Sequence, residues 1–429
     1  MKHTPLLATR TIAGIALLVS SITLSYDNEH FYRATNLFFE PRFAKKSLSS
    51  FDATIGYGSA DESRPKGSSC ECNDTCLLDR CGLHNMHEIG VGVPGKNLAN
   101  PLDLLITNLA LEPARDQFAT FSIGGKFKIT ELNLSWMHNF TDHFFVHVHL
   151  PIRRLSVDTI CFKDLSPTGD PTPNINSPIW QAFLTSFDAI LKRYDLNKDP
   201  YKETAFGDLT AFLGWTYNFQ DTQVLDFVDT TLRIGVIAPT GKTQNPDKIF
   251  ALPHGHNDHI GVVFSADASF GACEWITLGA HIDATVFAKK THCIRMKTGL
   301  QQSGLIYLAK GTARVDRGNH LVAGTYFKAD HFARGLSGTI GYTFARKSSD
   351  KITPCDTKTF CPSIVNSNEC LHNWKMHTLH LFFEYDFTKE DDKIGPRVGI
   401  FYNRQLAGKR VFKTNMIGGT VGVECMWEF

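Results

Sequence analysis

The sequence predicts an all-β chain: a transmembrane antiparallel β-barrel of about twelve strands, fourteen being the alternative, with one amphipathic helix in an extracellular loop. Three observations predict it. Segments of period-two alternation recur along the 429 residues. The connections between them alternate short and long. The chain ends on an alternating aromatic stretch, NMIGGTVGVECMWEF, in which Trp427, Cys425, Val423, Val421 and Ile417 share one face. Alternation alone says only that one face is dry. Sorted loop lengths say more, because tight turns at one rim and long loops at the other are the habit of membrane barrels. No apolar run reaches the roughly 18 residues that a membrane-spanning helix needs.

The strands follow in order. Phe51 to Gly58 is the first, and Lys126 to His138 the second. The apolar register of the second switches near Thr130 and Glu131, as a β-bulge would cause. His143 to Val157 sets Phe144, Val146, Val148, Leu150 and Ile152 against His147, His149 and Arg153. Phe206 to Asn218, Val228 to Pro239, His259 to Gly271 and Trp275 to Lys289 continue the pattern. His320 to Asp330, Leu336 to Arg346, Met376 to Phe387, Pro396 to Asn403 and the terminal strand complete twelve. Short connections fall at 139–142, 219–227, 272–274, 331–335 and 388–395. An even strand number returns both ends of the barrel to the periplasmic side. The apolar register, with Trp215, Phe264, Tyr342 and Trp427, is expected to face lipid.

The opposite register holds residues expected to line a pore: Lys128, His147, His149, Arg153, Asp208, Asp229, Arg233, Asp267, His281, Asp283, Glu384, Asp386, Arg397 and Glu424. Charges of both signs suit a wet lumen. A net charge of +1 argues against a nucleic-acid partner, and 32 Phe beside 7 Met is a skew toward β-formers.

Residues 1–25 read as an export signal. Lys2, His3 and Arg10 flank an apolar stretch, Ile12 to Leu24, that is too short to span a bilayer. Residues 26–50 read as a periplasmic segment and 51–429 as the barrel. The expected location is therefore the outer membrane of a Gram-negative cell, with membrane lipids and the barrel assembly machinery as partners. Seven of the 11 cysteines cluster in two expected outer loops. Cys70, Cys72, Cys76 and Cys81 form one group, and Cys355, Cys361 and Cys370 the other. Disulfides within each group are expected, since they close short loops, although four cysteines alone allow three pairings. A zinc knot is disfavoured because paired C-x2-C halves are missing.

The terminal strand resembles the C-terminal signature of outer-membrane β-barrels, in which Trp427 and Phe429 would be the part gripped during assembly. Phe206 to Lys242 reads FGDLTAFLGWTYNF, a turn, then TTLRIGVIAPTGK. With Gly207-Asp208 opening one strand and Ala238-Pro239-Thr240-Gly241 ending the next, it resembles the outer-membrane transporters associated with degradation of aromatic compounds. Those are distant relatives of the long-chain fatty acid transporters. The resemblance covers about 80 residues and implies passive passage of small solutes, apolar or aromatic ones among them. The relatives have fourteen strands and a larger N-terminal hatch, which this chain does not match.

Ser177 to Tyr194 is the one strong helix, capped by Ser177 with Pro178 in its first turn. Its stripe of Trp180, Phe183, Leu184, Phe187, Ile190, Leu191 and Tyr194 either collects apolar solute or packs on the other loops, and packing is the commoner fate of such a stripe. His254, His256 and His259, beside Asp258, make a weak metal candidate, and clustered loop histidines usually bind nothing. No cofactor is expected. A lipid hydrolase would need a pair such as His380 with Glu384, and no flanking signature supports one. A surface barrel that displays stapled loops is the remaining alternative.

Overall fold

The computed structural model describes residues 47–64, 75–113, 116–168, 175–220, 225–271, 275–333, 335–388 and 394–427. The export signal, Cys70, Cys72, Cys273 and Phe429 lie outside the described residues. Within them, twelve antiparallel strands close into one ring. They are β1 (Ser47–Ala60), β2 (Thr120–Asn139), β3 (Phe144–Asp164), β4 (Leu209–Gln220), β5 (Phe227–Ala238), β6 (Gly261–Gly271), β7 (Ile276–Phe287), β8 (His320–Ala333), β9 (Leu336–Lys347), β10 (Trp374–Asp386), β11 (Ile394–Lys409) and β12 (Asn415–Trp427). Pairing of β1 with β12, from Ser47 opposite Trp427 to Ser59 opposite Asn415, shuts the ring. Residues 47–50 thus belong to the first strand rather than to a preceding segment. Closure leaves no unpaired edge.

The two faces of each strand differ in character. Outward residues such as Phe51, Ile55, Leu213, Ile234, Phe264, Ile282, Tyr342 and Ile400 form a continuous exposed apolar belt around the ring. An exposed patch of that extent marks contact with an apolar phase. No described helix is long and apolar enough to cross a membrane. Trp215 and Tyr342 share the outward register with their exposed neighbours, and Trp427 ends β12.

β2 and β3, with 20 and 21 residues, are about twice the length that a bilayer requires. Their surplus rises above the belt at the long-loop end and changes character. There the inward residues Phe121, Ile123, Phe127, Ile129, Leu155 and Val157 are buried and apolar. The switch near Thr130 is therefore no bulge. The β2 inward register runs unbroken through Phe127, Ile129, Glu131, Asn133, Ser135 and Met137. What changes is the surroundings, from lipid outside a polar interior to water outside an apolar one. The register shift in this pair lies higher, between Gly124 and Lys126.

The long connections build a cap on that apolar rim. Helix α1 (Pro101–Leu109) starts at Asn100, whose side chain accepts from the Leu102 amide at 2.9 Å. Helix α2 (Pro178–Arg193) lies between β3 and β4 and starts at Ser177, as its sequence predicts. Its stripe packs rather than waits for solute. Trp180 stacks on Phe183 at 5.2 Å between centroids and meets Phe121 at 5.5 Å. The helices are tied through buried Asp103, which accepts from Tyr194 Oη at 2.8 Å and the Asn97 amide at 2.8 Å. Burial works to raise the Asp103 carboxyl, and these donors with Arg193 outweigh it and hold the group below the usual carboxylate range.

The cysteine pairing departs from the expectation. Cys81 bonds to Cys370, joining the two groups across 289 residues instead of pairing within either. Cys76, Cys355 and Cys361 are free thiols. Spacing along the chain favoured short loops, whereas folding of the cap brings the 77–81 turn against the 369–371 turn.

Candidate functional site: the barrel interior and its mouth

The interior is built by the inward register of all twelve strands. Thirteen of the fourteen residues read as pore-lining belong to that inward side, Asp208 at the step into β4. Lys128 is the exception. It points outward above the belt and pairs with Asp158 at 2.7 Å. The supposed switch of register had placed it inward.

Three groupings divide the interior. Near the short-turn rim, Arg397 bonds Asp52 at 2.8 Å, Glu424 at 2.7 Å and buried Ser50 at 3.1 Å, and the three charged groups remain partly wet. Lys328 pairs with Asp330 at 2.7 Å on the same inward side. At mid-height, Arg233 bonds Asp267 at 2.5 Å and Ser265 at 2.8 Å and lies over the Phe212 ring. Ser265 in turn donates to Asp283. His147 and His149 are in ring contact, 4.0 Å between centroids, and both abut Phe212. Asp229 accepts from Asn218 at 2.9 Å. His281 lies against Gly324, and His380 bonds Asn403 at 2.9 Å. The pairing of His380 with Glu384 imagined from sequence is thus replaced by an amide partner, and Glu384 and Asp386 simply face inward.

Phe145 and Phe212 narrow the lumen. Each ring lies flat over a neighbouring strand because that strand offers glycine: a Cβ on Gly214 would fall inside the Phe145 ring, and one on Gly235 inside that of Phe212. These rings, with His147, His149 and Arg233, are all buried at mid-height. Sequence reading missed Phe145 and Phe212, as aromatics inside a polar register, and missed Asp52, Glu131, Lys328 and Asp330. Asp52 was legible, since it alternates with Phe51 and Ala53.

The mouth is sealed by one segment, Pro253 to His259. Arg153 of β3 bonds Glu131 at 2.5 Å and donates to the His254 carbonyl at 2.7 Å. Arg317, just before β8, donates to the His256 carbonyl at 3.1 Å. Asp208, fully buried, accepts from the Gly241 amide at 2.8 Å, from the His256 amide, and from His256 Nδ1 at 2.7 Å. Gly255 is required here, because any side chain would collide with that carboxylate. The His256 ring also meets Phe287 of β7 and His320 of β8. The segment therefore touches walls contributed by β3, β4, β7 and β8. Burial works to raise the Asp208 carboxyl, and the His256 and Gly241 hydrogen bonds outweigh it and hold it below the usual range.

The three loop histidines do not form a metal triad. His256 is committed to Asp208, His254 Nε2 faces the Glu203 carbonyl at 3.4 Å, and His259 Nδ1 meets the Ala288 carbonyl at 2.8 Å. Burial pushes the His254 imidazole down. One cavity in the cap, among Leu78, Val157, Phe250, Leu252 and Phe412, holds about 20 Å³, room for little more than one water.

No family model matches this chain. No curated protein matches it. Among solved structures it is similar to an outer-membrane channel from Pseudomonas putida F1, at 12% identity over 90% of this chain and 97% of that one, TM-score 0.46. It is also similar to a Pseudomonas aeruginosa FadL homologue (10% identity, 90% and 91% covered, TM-score 0.30) and to the Ralstonia pickettii toluene transporter TbuX (8%, 90% and 90%, TM-score 0.31). The barrel itself is read from its own strand pairing, which closes at twelve.

Proposed function

We propose that this protein is an outer-membrane channel for passive passage of small solutes, closed at its mouth by the Pro253–His259 segment. The observation that carries the reading is the construction of that mouth. One loop segment, held to the wall by side-chain hydrogen bonds, lies over a barrel interior lined mainly by polar groups, with Phe145 and Phe212 among them. A segment held so can leave without unfolding the barrel. The long-loop cap then lies outside the cell, and the short turns and both barrel ends lie in the periplasm. The Phe206–Lys242 hairpin, with its likeness to transporters of aromatic-compound degradation, makes small aromatic molecules the first solutes to test.

Planar-bilayer conductance tests this. Steady conductance is expected, rising when Asp208→Asn weakens the seal. A second reading, display of stapled loops, is favoured by the cap's own apolar core and its Cys81–Cys370 bridge. A barrel that stays silent with Asp208→Asn in place and with its mouth segment shortened would establish that reading and refute passage.

A further inference from the structure

We propose that Arg346 and Lys375, side by side on the outward face of the barrel, hold the phosphate group of an anionic lipid in the outer leaflet. Register places the two residues directly opposite one another on β9 and β10, and both are exposed. Lys409 of β11 stands in turn opposite Lys375, so three cations form one row across three strands. Like charges directly opposite on neighbouring strands repel. The other outward neighbours by register, Leu321, Phe344, His377 and Ala407, bring no carboxylate. The acids nearest along the chain are Asp350 and Glu369, which are bonded to Lys347 at 3.1 Å and to Arg410 at 2.5 Å. Arg346 and Lys375 make no ion pair among the described residues. Other lysines on the long-loop side have acids of their own: Lys128 has Asp158, Lys289 has Asp316 and Lys413 has Glu62. An anion from the surroundings supplies what the chain does not.

The depth suits a lipid. β9 and β10, of 12 and 13 residues, are each about one bilayer crossing long. Arg346 and Lys375 stand one residue from their long-loop ends. Beneath them on the same face follow Phe344, Tyr342 and Ile340 on β9, and His377, Leu379 and Leu381 on β10. Tyr342 Oη and His377 Nδ1 are hydrogen-bonded at 2.5 Å, and tyrosines gather where acyl chains give way to headgroups. Acyl chains lie along the apolar residues while the phosphate meets the cations. A guanidinium takes a phosphate through two parallel N–H···O bonds, and an ammonium adds a point charge. A free phosphate would leave the apolar residues below without a partner, so the lipid is the occupant. Only the orientation of the barrel is taken from the proposed function. Conductance and lipid binding are separate readouts, and either can fail alone.

Titration of the full-length barrel in detergent with bis-phosphorylated lipid A, read by native mass spectrometry and by thermal shift, tests the site. Wild type should bind this lipid and gain thermal stability, and should do neither with the dephosphorylated lipid. Arg346→Gln combined with Lys375→Gln should weaken binding about 25-fold, or about fivefold for each cation removed. Both residues are exposed, so the folded barrel should keep its heat-modifiable mobility. Lys128→Gln, whose cation already has Asp158, should leave the affinity unchanged. Inorganic phosphate should not compete. Equal affinity in wild type and the double variant, equal binding of the dephosphorylated lipid, displacement by inorganic phosphate, or an equal loss in Lys128→Gln would each overturn the assignment.

Discussion

The belt and the cap are made by the same strands under opposite rules. In the belt, β2 turns Leu134 and Trp136 outward and Ser135 inward. Higher on the same strand, Lys126 and Lys128 face out and Phe127 and Ile129 face in. The pleat never breaks, so the inversion is caused wholly by the medium. Below it, lipid is outside and polar groups satisfy one another inside. Above it, water is outside and the loops supply an apolar core. A change of sign in an otherwise unbroken alternation locates the membrane boundary, here close to Thr130.

If the cap has a core of its own, it should fail without the barrel. Trp180→Ala removes a fully buried side chain that touches Phe118, Phe121 and Phe183. A loss of about 3–5 kcal/mol of cap stability is expected, read as early protease cleavage in the long loops while the heat-modifiable barrel persists. Simultaneous loss of both would show one cooperative unit and dissolve the comparison.

The bridge sharpens it next. Cys81→Ser should cost the cap about 2–4 kcal/mol, because the crosslink closes a very long loop, and leave the barrel's thermal transition in place. Non-reducing peptide mapping should recover Cys81 joined to Cys370. Pairing within the Cys355, Cys361 and Cys370 group instead would contradict the fold of the cap.

The belt answers to a different substitution. Ile234→Arg places a charge on the lipid face of β5, where about 2–4 kcal/mol is at stake near the bilayer midplane. Folding yield into vesicles should fall. Lys128→Gln, at the same outward orientation but above the boundary and paired only with partly exposed Asp158, should fall within about 1 kcal/mol of wild type. Equal damage by both would move the boundary.

All twelve strands were legible in the sequence because each must present one dry face for its whole crossing, which leaves a period of two at every position. The helix α2 was legible from Ser177, Pro178 and its stripe. The cap was not. Its pairings, such as Phe127 with Phe412 at 5.0 Å or Cys81 with Cys370, join segments hundreds of residues apart and carry no local period. The interior was read nearly in full as a list and not as a network. Alternation tells that Arg233 and Asp267 face inward, and only strand register tells that they meet. The mouth was not foreseen: HGH was noted only as a weak ligand candidate, and nothing local told that its glycine makes room for the Asp208 carboxylate and that its second histidine binds that group.

That carboxylate gives the closest test of how the two regions join. Asp208 sits where the cap segment docks on the barrel rim, and the His256 and Gly241 hydrogen bonds, outweighing burial, hold its folded pKa below the ordinary aspartate value of 3.8. A group with a depressed folded pKa contributes stability above its unfolded pKa, and that contribution is lost as pH falls through the folded one. Protonation of Asp208 should therefore release the mouth only below about pH 3.8, and between pH 5 and 8 this group should confer no pH dependence. Asp208→Asn keeps the shape but loses the charge-assisted bonds from His256, about 1–3 kcal/mol. Amide hydrogen exchange across Pro253 to His259 should rise in the variant at pH 7 and match acid-treated wild type. Protection unchanged in Asp208→Asn would mean that Arg153 and Arg317 hold the segment without the carboxylate.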